Sequence, residues 1–160
     1  MLTEILLNRC LKFKVLLDIE MLIFTDNLDK WISLDEQDME FFFTKSEKEF
    51  DDAESFCNDK GGFVYEPRNE NVTDKVLNHA KNEGIGAFWF GVNDISEEGT
   101  FVYACDKTPI TLKNWKEGEP NIYGNDDDCV NVFNGFWHDL PCHGYTMAIV
   151  CVKYKSGTDF

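Results

Sequence analysis

A chain of 160 residues is long enough for one domain with a single buried core, and thirty acidic against fifteen basic side chains leave it a net charge of −15. That charge argues against nucleic acid and against an anionic membrane surface as partners, and favours divalent cations and basic surfaces. Fourteen phenylalanines and four tryptophans are too many apolar aromatics for a disordered acidic chain, so the acidity belongs to the surface of a folded body.

Residues 1–28 read unlike the remainder. Arg9, Lys12 and Lys14 precede a short apolar run in the manner of a secretory leader, which Asp18 and Glu20 interrupt. Leu6, Cys10, Phe13, Leu17, Met21 and Phe24 recur at spacings of three and four, which equally suits one apolar face of a helix that docks or self-associates. Both readings stand, and the second would permit a homo-oligomer. The longest uncharged apolar segment, Met21 to Thr25, is far too short to cross a bilayer. The domain is expected over 29–155, with 156–160 as a tail.

Within it, Phe41, Phe42 and Phe43 suit a buried strand. Ser46 and Glu49 have capping-box spacing, and Phe50, Ala53 and Cys57 then share one face, predicting a helix over 46–60 that Gly61 and Gly62 end. Val72, Val76 and Ala80 predict a second helix ending near Gly84. Strands are expected at 88–92, 100–103, 129–133, 135–138 and 148–154, from their content of Val, Ile, Phe and Trp. Helices first and strands after them predict an α+β domain. His79 and His143 are expected at the surface, and Trp89, Trp115 and Trp137 in the core. Asn71-Val72-Thr73 is a glycosylation sequon. No nucleophile–base motif and no phosphate loop occurs, so no enzymatic activity is expected.

The stretch from Asn114 to Cys142 crowds Glu119, Asp126, Asp127, Asp128 and Asp139 among side-chain amides. It is either a solvated loop or a cage for a hard cation taking about six to eight oxygens, as Ca²⁺ does.

Phe50-x-x-Ala53-x-x-x-Cys57, Gly61-Gly62-Phe63-Val64, Phe88-Trp89-Phe90-Gly91-Val92, Asn114-Trp115, Glu119-Pro120-Asn121, Cys129, Trp137-His138-Asp139, Cys142 and Cys151 follow one another as they do in the C-type lectin-like domain, which the chain resembles over about residues 30–155. The resemblance implies a fold of two helices with short antiparallel sheets and a long Ca²⁺-binding loop. It implies disulfides Cys57–Cys151 and Cys129–Cys142, hence a secreted, extracellular setting. Cys10 and Cys105 are left as free or buried thiols, or as a link to a second chain or to each other.

By the same resemblance, Ca²⁺ would be held by Glu119, Asn121, Asp127, His138 and Asp139, which would also contact a sugar together with Tyr123. Asp127 stands where glutamate is usual, and His138 where asparagine is usual. Imidazole is a softer ligand than an amide oxygen, so the implied site is weaker. An accessory Ca²⁺ site would use Asp94, Glu98 and Asp128, with Ile122 in a fourth position that cannot coordinate. Glu-Pro-Asn accompanies mannose-type sugars in this family. The expected function is therefore Ca²⁺-dependent binding of mannose-type glycans, in recognition of foreign glycans. The alternative is a Ca²⁺-independent protein-interaction module on the same fold.

Overall fold

The computed structural model describes residues 28–36, 38–121 and 126–155. The leader-or-helix expectation, Cys10, Ile122, Tyr123 and the tail all lie outside the described residues.

Among the described residues ten elements follow one another: β1 (Trp31–Ile32), β2 (Met39–Lys48), α1 (Phe50–Asp59), β3 (Phe63–Val64), α2 (Glu70–Asn82), β4 (Ala87–Asn93), β5 (Val102–Tyr103), β6 (Cys129–Phe133), β7 (Phe136–Leu140) and β8 (Met147–Tyr154). The strand order is β1-β2-β8-β4-β6-β7, with β3 on β8 and β5 on β4. The pairing of β2 with β8 joins the two ends of the domain, Phe42 lying opposite Cys151. Antiparallel pairing holds except between β4 and β8, which run parallel with Phe88 opposite Ala148. The antiparallel sheets expected from the sequence are therefore a mixed sheet.

Both faces of the central strands are covered, and the period of two sorts their side chains. Phe41, Phe43, Phe88, Phe90, Val150 and Val152 enter one cluster with Val76, Ala80 and Trp137. Their neighbours Phe42, Trp89, Ile149 and Cys151 enter the other with Phe50, Ala53 and Cys57 from α1. Each fully buried ring contributes about 1.5–3 kcal/mol by leaving water. Gly91 permits the close approach of β3: a Cβ there would stand 2.7 Å from the Val64 carbonyl oxygen.

The disulfides are Cys57–Cys151 and Cys129–Cys142. Cys105 is a free, exposed thiol. The capping box does not form. Ser46 and Glu49 precede α1, and the Glu49 carboxylate accepts from the Gly144 N–H at 3.0 Å instead. β2 thus runs on to Lys48 and α1 begins at Phe50. In α2 the Asn69 side chain caps by accepting from the Val72 N–H. The sequon threonine is buried there, its hydroxyl donating to the Asn69 carbonyl. His143 is exposed, but His79 is not a surface residue: its ring lies 4.5 Å from that of Phe43.

Candidate functional site

The cluster forms where the segment leading to Glu119 runs beside β7. The Trp137 N–H donates to the Asn114 carbonyl at 2.9 Å, and the Lys116 N–H donates to the Trp137 carbonyl at 3.0 Å. A turn closed by the Glu119 N–H on the Lys116 carbonyl, at 2.9 Å, then delivers the tripeptide, whose Glu119–Pro120 bond is cis.

The Asn121 backbone N–H is shared between Glu119 Oε2, at 3.1 Å, and Asp139 Oδ1, at 3.0 Å. Its side-chain Nδ2 donates to Glu119 Oε2 at 2.6 Å. His138 faces the same group, with Nδ1 3.5 Å from Glu119 Oε1. Glu119, Asn121, His138 and Asp139 are therefore brought together.

Their charges are not independent. Burial, and then the hydrogen bond with Glu119, push Asp139 up to about 7. Burial opposes the charge of Glu119 too, but hydrogen bonds with Asp139 and Asn121 outweigh it and hold that carboxyl below its usual range. Of the two carboxyls, Asp139 is therefore the more readily protonated. Asp127 is pushed up by burial and by the negative charges of Glu119, Asp126 and Asp128. Asp126 itself is exposed.

The other acids sit at the end of β4. Asp94 is buried, and one of its oxygens, Oδ2, accepts from the Gly99 N–H at 2.7 Å. Oδ1 is buried without a hydrogen-bond partner. Burial first, then the charges of Glu98 and Asp128, push this carboxyl up to about 6. Glu98 is exposed.

Among the described residues, no three His, Cys, Asp or Glu side chains converge tightly enough to clasp a metal. Glu119, Asn121 and Asp139 satisfy one another by hydrogen bonding instead. Their chemistry still suits a hard cation: two carboxyl groups and an amide come together, and crowded carboxyls of this kind are relieved by a positive charge. The orphaned Asp94 oxygen suits one as well. A cleft of about 500 Å³ lies between α2 and the β6–β7 turn, and Glu119 does not line it. Sequence reasoning passed over Phe133 and Phe136 at that turn, both about half exposed, although the Phe-Asn-Gly-Phe run is a hairpin signal.

Two helices, a mixed sheet, two disulfides and an acidic loop beside β7 together define a C-type lectin fold. The chain belongs to the C-type lectin family, whose domain model, described as "Lectin C-type domain", matches residues 46–153. It is 35% identical over 112 residues to Collectin-11 of Danio rerio, covering 69% of this chain and 41% of that protein. It is 34% identical over 123 residues to Collectin-10 of Gallus gallus, covering 75% and 44%. The chain therefore spans under half the length of these curated relatives. Among solved structures, the mouse scavenger receptor C-type lectin carbohydrate-recognition domain superposes with a TM-score of 0.70 at 25% identity, over 79% of this chain and 96% of that one. The domain is a collectin-like carbohydrate-recognition domain, and a binding module rather than an enzyme.

Proposed function

We propose that the domain binds mannose-type glycans through Ca²⁺ held by Glu119, Asn121 and Asp139, with Asp127 and His138 beside them. The observation that carries this reading is the convergence of the Glu119 carboxylate, the Asn121 amide and the buried Asp139 carboxyl within hydrogen-bonding distance. When bound, the ion would offset the crowded negative charge and accept sugar hydroxyls as ligands. Glu119 would accept from a hydroxyl and Asn121 would donate to its neighbour, so the pair would read hydroxyl orientation. The Glu-Pro-Asn order supports the mannose type. Asp94, Glu98 and Asp128 would serve an accessory ion, for which the unpartnered Asp94 oxygen is the supporting observation.

The two disulfides support secretion, and no helix among the described residues is long and apolar enough to cross a membrane. Single sites of this kind are shallow, so several copies presented together would give useful avidity. The test is passage over immobilised mannose in Ca²⁺, with elution by a chelator. Retention and release are expected; no retention, or retention that ignores the chelator, contradicts the reading. A Ca²⁺-independent protein-interaction module is the second reading. It is favoured by His138, whose imidazole faces Glu119 where an amide would serve the ion better.

A further inference from the structure

Asn71 stands in the first turn of α2 and is exposed, while Thr73, two residues on, is 7% exposed. At about 100° per residue the two side chains leave the helix axis about 200° apart. Asn71 shares its face with Lys75, Asn78 and Asn82, all exposed, whereas Thr73 is buried with Val72, Val76 and Ala80. Asn71-Val72-Thr73 is also the only Asn-X-Ser/Thr triplet in the chain.

The threonine hydroxyl is locked. Thr73 Oγ1 donates to the Asn69 carbonyl at 2.8 Å, and the buried Tyr65 hydroxyl donates to Thr73 Oγ1 at 2.9 Å. Tyr65 is in turn held by the last strand. Its N–H donates to the Val150 carbonyl at 2.8 Å, next to the pairing of Val64 with Cys151, and Cys151 is bonded to Cys57. The lock therefore waits for residues about 80 positions after Asn71, a delay of about 4–16 s at about 5–20 residues per second of synthesis. Until then α2 is a segment of 13 residues, marginal as a helix by itself.

The sequon needs both groups, so a transferase must reach the Asn71 amide and the Thr73 hydroxyl together. The folded helix holds them on opposite sides with the hydroxyl covered. The open segment offers both.

We propose that Asn71 carries an N-linked glycan, transferred while the sequon is still unfolded and fixed on the outer face of α2 when β8 closes the domain. This rests on the secretory setting above and not on the sugar-binding reading. Asn71 Nδ2 forms a bond to the anomeric carbon of the first sugar of a lipid-pyrophosphate-linked oligosaccharide. The bond from that carbon to the pyrophosphate oxygen breaks, the lipid pyrophosphate leaves, and an amide proton passes to a base on the transferase; nothing is oxidised or reduced. The segment 112–114, which leads to Glu119, lines a cavity with Thr73 and Leu77 on another side of α2. The glycan, bulky and hydrophilic, thus leaves the candidate site open and keeps the outer face of α2 out of contacts between copies.

Translation of the full chain with secretory-pathway microsomes tests it. Wild-type chain inside the microsomes should show one glycosidase-sensitive step in apparent mass, lost in Asn71→Gln and in Thr73→Ala and kept in Thr73→Ser. Release of the glycan by an enzyme that leaves aspartate in place of the asparagine should mark residue 71 in a peptide mass spectrum. A second arm tests the order of events: purified oligosaccharyl transferase and its lipid-linked donor should modify the reduced, unfolded chain and leave the oxidised, folded one unmodified. Oxidised wild type inside the microsomes without the step, or a step that survives Asn71→Gln, overturns the site and leaves the lectin reading intact. Equal modification of folded and unfolded chain overturns the lock on Thr73. A chain that does not enter the microsomes overturns the secretory setting, and the glycan with it. Asn71→Gln should be retained on immobilised mannose in Ca²⁺ as the wild type is, and a wild type retained where this variant is not overturns the placement of the glycan away from the site.

Discussion

Asp139→Asn separates the structural role of the candidate cluster from its cation-binding role. Asp139 is 4% exposed, and its Oδ1 accepts the Asn121 N–H. Asparagine keeps that acceptor and the shape, and its amide donates to Glu119 without needing a shared proton. Without metal the variant should therefore unfold within about 1 kcal/mol of the wild type. With Ca²⁺ at a hundred times its dissociation constant, the wild type should gain about 2.7 kcal/mol by mass action. At roughly 3 °C per kcal/mol for a domain of this size, that is a rise of about 8 °C in midpoint. The variant lacks one of the two carboxylates proposed to hold the ion most directly and should gain under about 1 kcal/mol at the same concentration. Scanning calorimetry in Ca²⁺ and in chelator reads both quantities. A variant that keeps the full Ca²⁺-dependent rise would refute the assignment of Asp139, as would a wild type with no rise at saturating Ca²⁺.

Two further outcomes are expected. Arg68→Ala should cost about 3 kcal/mol at pH 7, because it leaves Glu66, whose side chain is 2% exposed, as a buried anion without its guanidinium. Burial already raises the Glu66 carboxyl above its usual value. Its protonated form therefore contributes stability below the unfolded carboxylate range, lost as pH rises through the folded value, and the cost of the variant should shrink towards pH 4. Urea midpoints at the two pH values decide, and a cost that does not change with pH contradicts the argument. His138→Asn should raise Ca²⁺ affinity several-fold, since an amide oxygen suits the ion better than an imidazole nitrogen. An unchanged affinity in a calcium titration would place the His138 side chain outside the ion's shell.

The core was largely legible because alternation is a local property. Phe88 and Phe90 on one face and Trp89 on the other follow from the period of two, and the structure seats them in separate clusters. The spacing of Val72, Val76 and Ala80 likewise gave α2. What failed was decided by distant partners. The Ser46–Glu49 pattern invited a helix start, but the Glu49 carboxylate is engaged by Gly144, 95 residues away. The parallel run of β8 beside β4 is also a tertiary choice. His79 lies on the polar side of a helical pattern, yet the helix turns it onto Phe43. At the site, the resemblance pointed to Glu119, Asn121 and Asp139. That Asp139 is buried, and that it hydrogen-bonds with Glu119, depends on the path of residues 114–116 along β7.

The central claim is that Glu119 and Asn121 read the sugar. Exchanging both, Glu119→Gln with Asn121→Asp, inverts which position carries the charge and which the amide while leaving the rest of the domain in place. Retention of wild type and double variant should be compared on immobilised mannose and immobilised galactose, in Ca²⁺ and in chelator. The account predicts that the wild type is held by mannose and the variant by galactose, both released by the chelator. A double variant that keeps the wild-type preference would contradict it.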